Sequence, residues 1–226
     1  MTSDHDTPPN IASGRMLVGA EFFERAPDVV APELLGSILV SCAGDAITGG
    51  RIVEVEAYMG AHDPGSHAAT KGITKRNAVM YGPPGTAYVY FTYGNHYMLN
   101  LVCEPEGIAG AVLIRAVEPR FGLQLMAQRR RGVREFDLAN GPGKLAQALG
   151  VDLTDNGVRL GEGRLSVYYG EQPDCSEIGS SGRVGLSSGH ALELRWFVTG
   201  SPYVSRGRLG PTQRQRGQRP TKEEST

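Results

Sequence analysis

Cysteine is scarce in this sequence. Three residues, Cys42, Cys103 and Cys175, are scattered over 226 positions, and no two of them form a Cys-x-x-Cys pair. An odd, scattered set fits neither a disulfide scaffold nor a zinc site, so we expect free thiols in a reducing compartment. The histidines also lack the spacing of metal ligands, which predicts a protein without a bound metal.

Long hydrophobic runs are missing as well. No stretch approaches the roughly 18 to 20 apolar residues that a membrane span needs. The first ten residues are polar and acidic, and they lack the basic-then-apolar order of a secretory signal. The expected location is therefore the cytoplasm, with no membrane partner.

The chain has no large excess of charge of either sign, because its formal net charge is −1 at pH 7. A balanced total argues weakly against a nucleic-acid partner, but the distribution is uneven. Acids dominate residues 1–50, whereas six bases and no acid occupy residues 206–222. A local basic field can serve DNA even when the total charge does not.

The two ends of the chain differ in composition from its middle. Residues 1–14 and 206–226 hold few apolar side chains, which predicts a disordered leader and a disordered basic tail. The tail either binds DNA without reading its sequence or is a solvated segment with no role. No repeat or linker divides the rest, so we place one domain at residues 15–205.

Strand and helix signals alternate irregularly along this domain. Helices are predicted at 27–35, 122–131 and 143–149, and strands at 37–42, 51–58, 86–92, 96–102, 111–117, 165–169 and 194–198. A turn containing Gly44-Asp45 and Gly49-Gly50 is expected between the first two strands, and residues 61–85 are predicted to form a long loop. Such loops are usually functional or mobile. Without regular βαβ alternation, the fold class is a mixed α/β (α+β) single domain.

The strand at 51–58 carries the most informative residues. Side chains alternate between the faces of a strand, so Glu54, Glu56 and Tyr58 share one face. The opposite face, with Val53, Val55 and Ala57, suits a core. The first face is either an ordinary solvated surface or one wall of a pocket beside the long loop.

Tyrosines cluster in and just before the next two strands, at positions 81, 88, 90, 93 and 97. Gly94-Asn95 between these strands predicts a protruding β-hairpin. Rings in a hairpin usually pack in the core or pair across strands. Tyr93 lies at the tip, however, where little core is within reach, which suggests insertion into a base stack.

Arg115 interrupts the apolar strand at 112–117. A buried arginine needs an anionic partner. That partner is either a structural carboxylate or a catalytic carboxylate that Arg115 holds in place.

Taken together, these segments resemble the alkyladenine (3-methyladenine, methylpurine) DNA glycosylase family. Residues 51–60 are similar to its catalytic strand, residues 63–67, 76–77 and 80–81 to its long loop, and residues 84–94 with position 100 to its hairpin. Residues 112–119, 140–145, 183–185 and 200–205 match as well. The likeness keeps the family's order over residues 16–205 and leaves out both tails.

The resemblance implies a monofunctional enzyme of base excision repair. It makes Glu56 the ionised carboxylate that activates water, and Arg115 the cation that helps to hold that water and the carboxylate. No lysine occupies the inferred pocket as a nucleophile, so the expected product is an abasic site without strand cleavage. The implied fold is a single domain like the formyltransferase C-terminal domain. It would act without a cofactor, as a monomer, on double-stranded DNA containing damaged purines, associated with the nucleoid when bound.

The resemblance also assigns the residues that hold the base. Tyr58 and Tyr90 would sandwich the flipped base, and His67 would contact its edge. Asn100 would disfavour the exocyclic amine of normal guanine. Tyr93 would be the intercalating wedge.

Two other classes of function stay open from the residues alone. A non-catalytic nucleic-acid-binding module could share the fold, and a small-molecule hydrolase could use the same carboxylate base. Release of free hypoxanthine or 3-methyladenine from damaged DNA separates the glycosylase from the binding module. A small-molecule hydrolase predicts no affinity for DNA.

Overall fold

The computed structural model describes residues 15–43, 46–66, 68–69, 72–92, 94–186 and 192–206. Its α-helices are α1 (Ala20–Phe23), α2 (Pro27–Leu34), α3 (Leu123–Arg129) and α4 (Pro142–Leu149). Its strands are β1 (Ile38–Ala43), β2 (Ala46–Tyr58), β3 (Ala87–Thr92), β4 (His96–Val102), β5 (Ala111–Phe121), β6 (Leu165–Tyr168), β7 (Ile178–Ser181) and β8 (Arg195–Val198). Short 3-10 helices lie at Gly60–His62, Ala78–Tyr81, Glu135–Asp137, Leu153–Asp155 and Cys175–Glu177. Of these described helices, none is long and apolar enough to cross a membrane.

The predicted elements are largely confirmed. Helix α2 begins with Pro27 at its first position, where the missing N–H costs nothing. Helix α4 begins with Pro142 in the same way and ends at Gly150, whose φ of 72° suits glycine. The predicted leader and nearly all of the predicted tail lie outside the described residues, so the domain bounds stay predictions.

The strands form one sheet in the order β3-β4-β5-β2-β1-β6, and every pairing described is antiparallel. Strand β8 pairs with the second half of β2 and with β7. The fold is therefore a mixed α/β domain built on a single antiparallel sheet with few helices. Its likeness to the formyltransferase C-terminal domain stays a prediction, and so does protrusion of the β3–β4 pair.

The expected turn at the Gly49-Gly50 pair is wrong, because both residues lie inside β2. Gly49 pairs with Val40 of β1, and Gly50 pairs with Pro119 of β5. A Cβ atom on Gly50 would meet the Glu118 carbonyl oxygen at 2.2 Å. The glycines are needed for this close approach of backbones rather than for a turn.

A β-bulge interrupts β2 close to Glu54, where its register against β5 shifts on both sides of that residue. The shift breaks the strict alternation of faces. Val53 therefore packs in a separate cluster with Val198 and Tyr203, whereas Val55 and Ala57 belong to the main core. The predicted common face for these three apolar residues is wrong for Val53.

One large apolar cluster joins α2 and α4 to strands β2, β4 and β5. Leu34 of α2, Val55 of β2 and Leu145 of α4 are fully buried in it. Burying each such side chain contributes about 1.5–3 kcal/mol. This core packs the helices against the strands that carry the polar residues described next.

Candidate active site

A cavity of about 300 Å³ opens beside the central strands of the sheet. Four of the predicted site residues line it: Tyr58 of β2, Tyr90 of β3, Asn100 of β4 and Arg115 of β5. The sheet order places these four strands side by side, which brings together residues far apart in sequence. The volume of the cavity lies at the lower end of the range for ligand pockets, roughly 300–1,000 Å³, and suits one planar ring system.

Glu56 is fully buried directly behind the wall of this cavity. Its Oε1 accepts a hydrogen bond from the Val184 backbone N–H at 2.7 Å and lies 3.1 Å from Nη1 of Arg115. Its Oε2 accepts a hydrogen bond from the Tyr58 hydroxyl at 2.9 Å. All three partners line the cavity. The alternative of a solvated strand face is therefore wrong.

Arg115 bridges both carboxylates of β2. Its Nε donates to Oε1 of Glu54 at 2.7 Å, while its Nη1 faces Glu56. Burial alone would lower the pKa of the Arg115 guanidinium, but Glu56 and Glu54 outweigh burial and raise it. The structural and the functional interpretations of Arg115 are thus compatible, because one guanidinium serves both carboxylates.

Glu54 is a buried structural anion. Arg115 and Arg195 each donate an Nε–H to its Oε1 at 2.7 Å, and Ser205 donates both its backbone N–H and its hydroxyl. Burial favours the neutral acid, but the two guanidiniums and the Ser205 N–H outweigh it and lower the pKa of Glu54. Glu54 is therefore ionised at neutral pH and accepts hydrogen bonds from four donors.

Tyr58 lines the cavity, and its ring packs against a buried guanidinium. The Arg183 carbon Cζ lies 4.8 Å from the centroid of the ring, and Arg183 is fully buried. Burial and the neighbouring Glu56 carboxylate raise the pKa of the Tyr58 hydroxyl well above its ordinary value. The hydroxyl therefore stays protonated and can donate to Glu56.

Arg183 also ties the long loop to the end of β2. Its guanidinium forms a bidentate ion pair with Asp63 and donates to the Ala57 carbonyl oxygen at 2.9 Å. Asp63 accepts the backbone N–H groups of Met59 and Gly65 as well. Burial would raise the pKa of Asp63, but these bonds outweigh it and lower the pKa. The loop beside the cavity is thus anchored by a buried charge pair.

Two tyrosines of β3 line the cavity together with Tyr58. The rings of Tyr88 and Tyr90 pack with their centroids 5.3 Å apart, and both residues line the cavity. The Arg76 Cζ lies 4.9 Å from the centroid of the Tyr90 ring. Burial raises the pKa of Tyr88 to about 12. Three tyrosines therefore line the cavity.

Asn100 lies in β4, opposite Tyr88 of β3 and Leu113 of β5. It is 3% exposed, and its Nδ2 donates to the Tyr88 carbonyl oxygen at 3.1 Å. This bond fixes the orientation of the amide at the cavity wall. Asn100 is thus held as a rigid part of the pocket.

Two predicted site residues, His67 and Tyr93, lie outside the described residues. In the part of the chain that is described, no group of three or more His, Cys, Asp or Glu side chains is arranged to hold a metal ion. The predicted roles of His67 and Tyr93 stay predictions.

Sequence reasoning gave no role to four groups that build the site. They are the Val184 backbone N–H, Arg183, Arg195 and Ser205. Segments 183–185 and 200–205 stand out only through the family likeness, because no local pattern ties them to β2. The buried arginines Arg183, in the first of these segments, and Arg195, in β8, are the one signal that points to anionic partners.

The chain is similar to proteins of one family over most of its length. The methylpurine-DNA glycosylase family model matches residues 21–202. A relative from Chlorobaculum parvum is 47% identical over 206 residues, which are 89% of this chain and 97% of its own. One from Koribacter versatilis is 46% identical over 189 residues, 81% of this chain and 90% of its own. One from Burkholderia cenocepacia is 47% identical over 193 residues, 84% and 91% respectively.

All three relatives carry the provisional name 3-methyladenine DNA glycosylase. The family match spans most of the chain, and the relatives align over nearly their whole length. The chain belongs to the methylpurine-DNA glycosylase family.

Proposed function

We propose that this protein is a monofunctional DNA glycosylase that flips alkylated or deaminated purines out of duplex DNA and hydrolyses their N-glycosidic bond. Family membership supplies the coarser activity, which is that of a DNA glycosylase, a hydrolase of N-glycosyl bonds acting on DNA. The proposal adds the damaged purine, the flipped state and the water that Glu56 activates. It takes the enzyme to be a cytoplasmic monomer that needs no cofactor.

The observation that carries the proposal is the environment of Glu56. Three groups that line the cavity contact the Glu56 carboxylate, and Arg115 is one of them. Such a carboxylate is suited to hold a negative charge next to a bound ligand. The glycosidic bond of a stacked base is out of reach of such a buried group. The nucleotide must therefore leave the duplex and enter the cavity.

The hydrogen bonds around Glu56 indicate which oxygen acts as the base. A carboxylate oxygen accepts about two hydrogen bonds. The Val184 N–H and Nη1 of Arg115 occupy Oε1, whereas Oε2 accepts one bond described here, from Tyr58. An attacking water would therefore donate to Oε2. As the water oxygen bonds to the sugar carbon, a proton of the water passes to Glu56. The damaged purine leaves with the electron pair of the glycosidic bond.

The tyrosines that line the cavity fit the proposed role of holding the flipped base. Stacking on an aromatic ring contributes about 1–3 kcal/mol per base in single-strand binders. Tyr58 and Tyr90 would supply that stacking, and the fixed amide of Asn100 would exclude the 2-amino group of guanine. His67 would contact the edge of the base, and Tyr93 would fill the gap that it leaves in the stack.

Base release from defined duplexes tests the proposal. The wild-type protein is incubated with oligonucleotides that each carry 3-methyladenine, 7-methylguanine, hypoxanthine or ethenoadenine, and the free base is separated by chromatography. We expect free base and an abasic site, with strand breakage only after alkali. Tight binding of lesion DNA without any release would instead support a binding module, and no DNA affinity would support a small-molecule hydrolase.

A further inference from the structure

Ser205 lies far from the catalytic strand in sequence and in direct contact with its charged residues. Its hydroxyl donates to Oε1 of Glu54 at 2.7 Å, and its backbone N–H donates to Oε2 of the same carboxylate at 2.6 Å. The same hydroxyl accepts a hydrogen bond from Nη2 of Arg115 at 3.2 Å. Ser205 therefore joins the anion and the cation of the buried network.

Each of three nitrogens of Arg115 faces a different partner. Nε donates to Glu54, Nη2 donates to Ser205, and Nη1 faces Glu56. A guanidinium is a rigid planar fork, so fixing two of its nitrogens fixes the third. The contacts of Arg115 with Glu54 and Ser205 thus determine where Nη1 meets Glu56.

Charge balance explains why an uncharged serine is suited to this place. The buried network contains two carboxylates, Glu54 and Glu56, and two guanidiniums, Arg115 and Arg195. A further charged side chain would lack a partner of opposite charge in this buried site. A hydroxyl can donate to the carboxylate and accept from the guanidinium at once, without adding charge.

We propose that Ser205 is a positioning residue of the glycosylase reaction, which acts through Arg115 on Glu56. The inference rests on the proposed function. The described side-chain contacts of Ser205 are with Arg115 and Glu54 rather than with Glu56, so it orients the catalytic group through Arg115. A misplacement of about 1 Å can cost about a hundredfold in rate, which makes a small rotation of Arg115 measurable.

The test is single-turnover excision at saturating enzyme on the lesion duplex that wild type cleaves best. Ser205→Ala removes the hydroxyl and keeps the N–H, so we expect a rate about tenfold lower with an affinity for lesion DNA within twofold. Ser205→Thr keeps a hydroxyl and should retain at least a third of the wild-type rate. Ser201→Ala is the matched control, because this hydroxyl of the same segment accepts a 3.4 Å bond from the Tyr203 N–H and has no contact with Glu54. It should leave the rate unchanged.

A double-mutant cycle separates positioning from a general structural effect. In an Arg115→Lys background the fork is already lost, so adding Ser205→Ala should change the rate less than twofold. An additional tenfold loss in that background would overturn the inference, because Ser205 would then act by another route. Thermal melting of each variant checks that the compared proteins are folded.

If Ser205→Ala does not fold, Ser205→Cys keeps the volume and weakens the donor, and its rate should fall below that of Ser205→Thr. Equal rates for Thr and Cys would overturn the inference. If the wild-type protein is active and the excision rate of Ser205→Ala lies within twofold of the wild-type rate, the positioning role alone is refuted. A wild-type protein that releases no base refutes the proposed function as well, so the two failures are distinguishable.

Discussion

Replacing Glu54 by glutamine keeps the shape of the side chain and removes its negative charge. Four donor groups meet this carboxylate, from Arg115, Arg195 and the hydroxyl and N–H of Ser205. The side chains of the two arginines are 6% and 9% exposed. In the variant, Glu56 would be the one carboxylate left in this network for the two arginines. The N–H₂ group of the new glutamine, itself a donor, would face other donors.

The expected cost follows from this burial. Removing one partner of a buried ion pair destabilises a protein by about 3–5 kcal/mol, because the other charge stays buried without compensation. The Arg25–Glu33 pair provides the matched control, since its side chains are 37% and 51% exposed. An exposed pair of this kind contributes about 0–1 kcal/mol. Glu54→Gln should therefore lower the free energy of unfolding at least threefold more than Glu33→Gln.

Urea unfolding followed by circular dichroism measures both variants against wild type. The effect of Glu54→Gln should also depend on pH in a defined direction. The folded-state pKa of Glu54 is lowered, so its stabilisation is complete above the unfolded value, about 4.3, and is lost as pH falls through the folded value. The difference between wild type and Glu54→Gln should shrink in that acidic range. A loss at neutral pH no larger than that of Glu33→Gln would refute this account of the network.

Three further predictions concern the loop, the pocket and the tip of the β3–β4 pair. Asp63→Asn weakens the buried pair with Arg183 and should lower the melting temperature at pH 7. Because the folded-state pKa of Asp63 is lowered, acidification should reduce the difference in melting temperature between wild type and this variant. A difference that does not change with pH would contradict the assignment. Asn100→Ala should raise removal of normal guanine relative to hypoxanthine in direct competition, and an unchanged ratio would discard the exclusion role. Tyr93→Ala should weaken capture of the flipped lesion, measured as affinity for lesion DNA, and leave stability intact. A loss of roughly 3–5 kcal/mol, as for a core truncation, would show instead that the Tyr93 ring packs in the core.

Local patterns were sufficient to predict most of the sheet. They predicted residues 51–58 of β2 and 111–117 of β5, and the rule that a buried arginine needs an anion predicted a carboxylate partner for Arg115. Strand β7 was not predicted, because Ile178–Ser181 contains one large apolar residue and no alternation. The Gly49-Gly50 pair was assigned to a turn because turns and close backbone contacts both select glycine.

The charged network could not be predicted from sequence, since its members are brought together only by the fold. Ser205 lies 151 positions from Glu54, and Val184 lies 128 positions from Glu56. Spacing arguments reach only neighbours on one strand or helix. They placed the two glutamates together but could not reveal that four donors meet Glu54 and that the partners of Glu56 line the cavity.

Glu56→Gln most directly tests the central claim that Glu56 is the base. The amide oxygen can still accept from the Val184 N–H, while its N–H₂ can donate to the Tyr58 oxygen, so the shape of the pocket should be kept. What the amide cannot do is take a proton from water, and general base catalysis contributes about 10²–10⁴-fold in rate. Single-turnover base release is measured for wild type and Glu56→Gln, together with affinity for the lesion duplex and thermal melting. We predict a loss of at least about a hundredfold in the rate with lesion binding retained; release by a folded Glu56→Gln protein within a few-fold of wild type would show that another group activates the water.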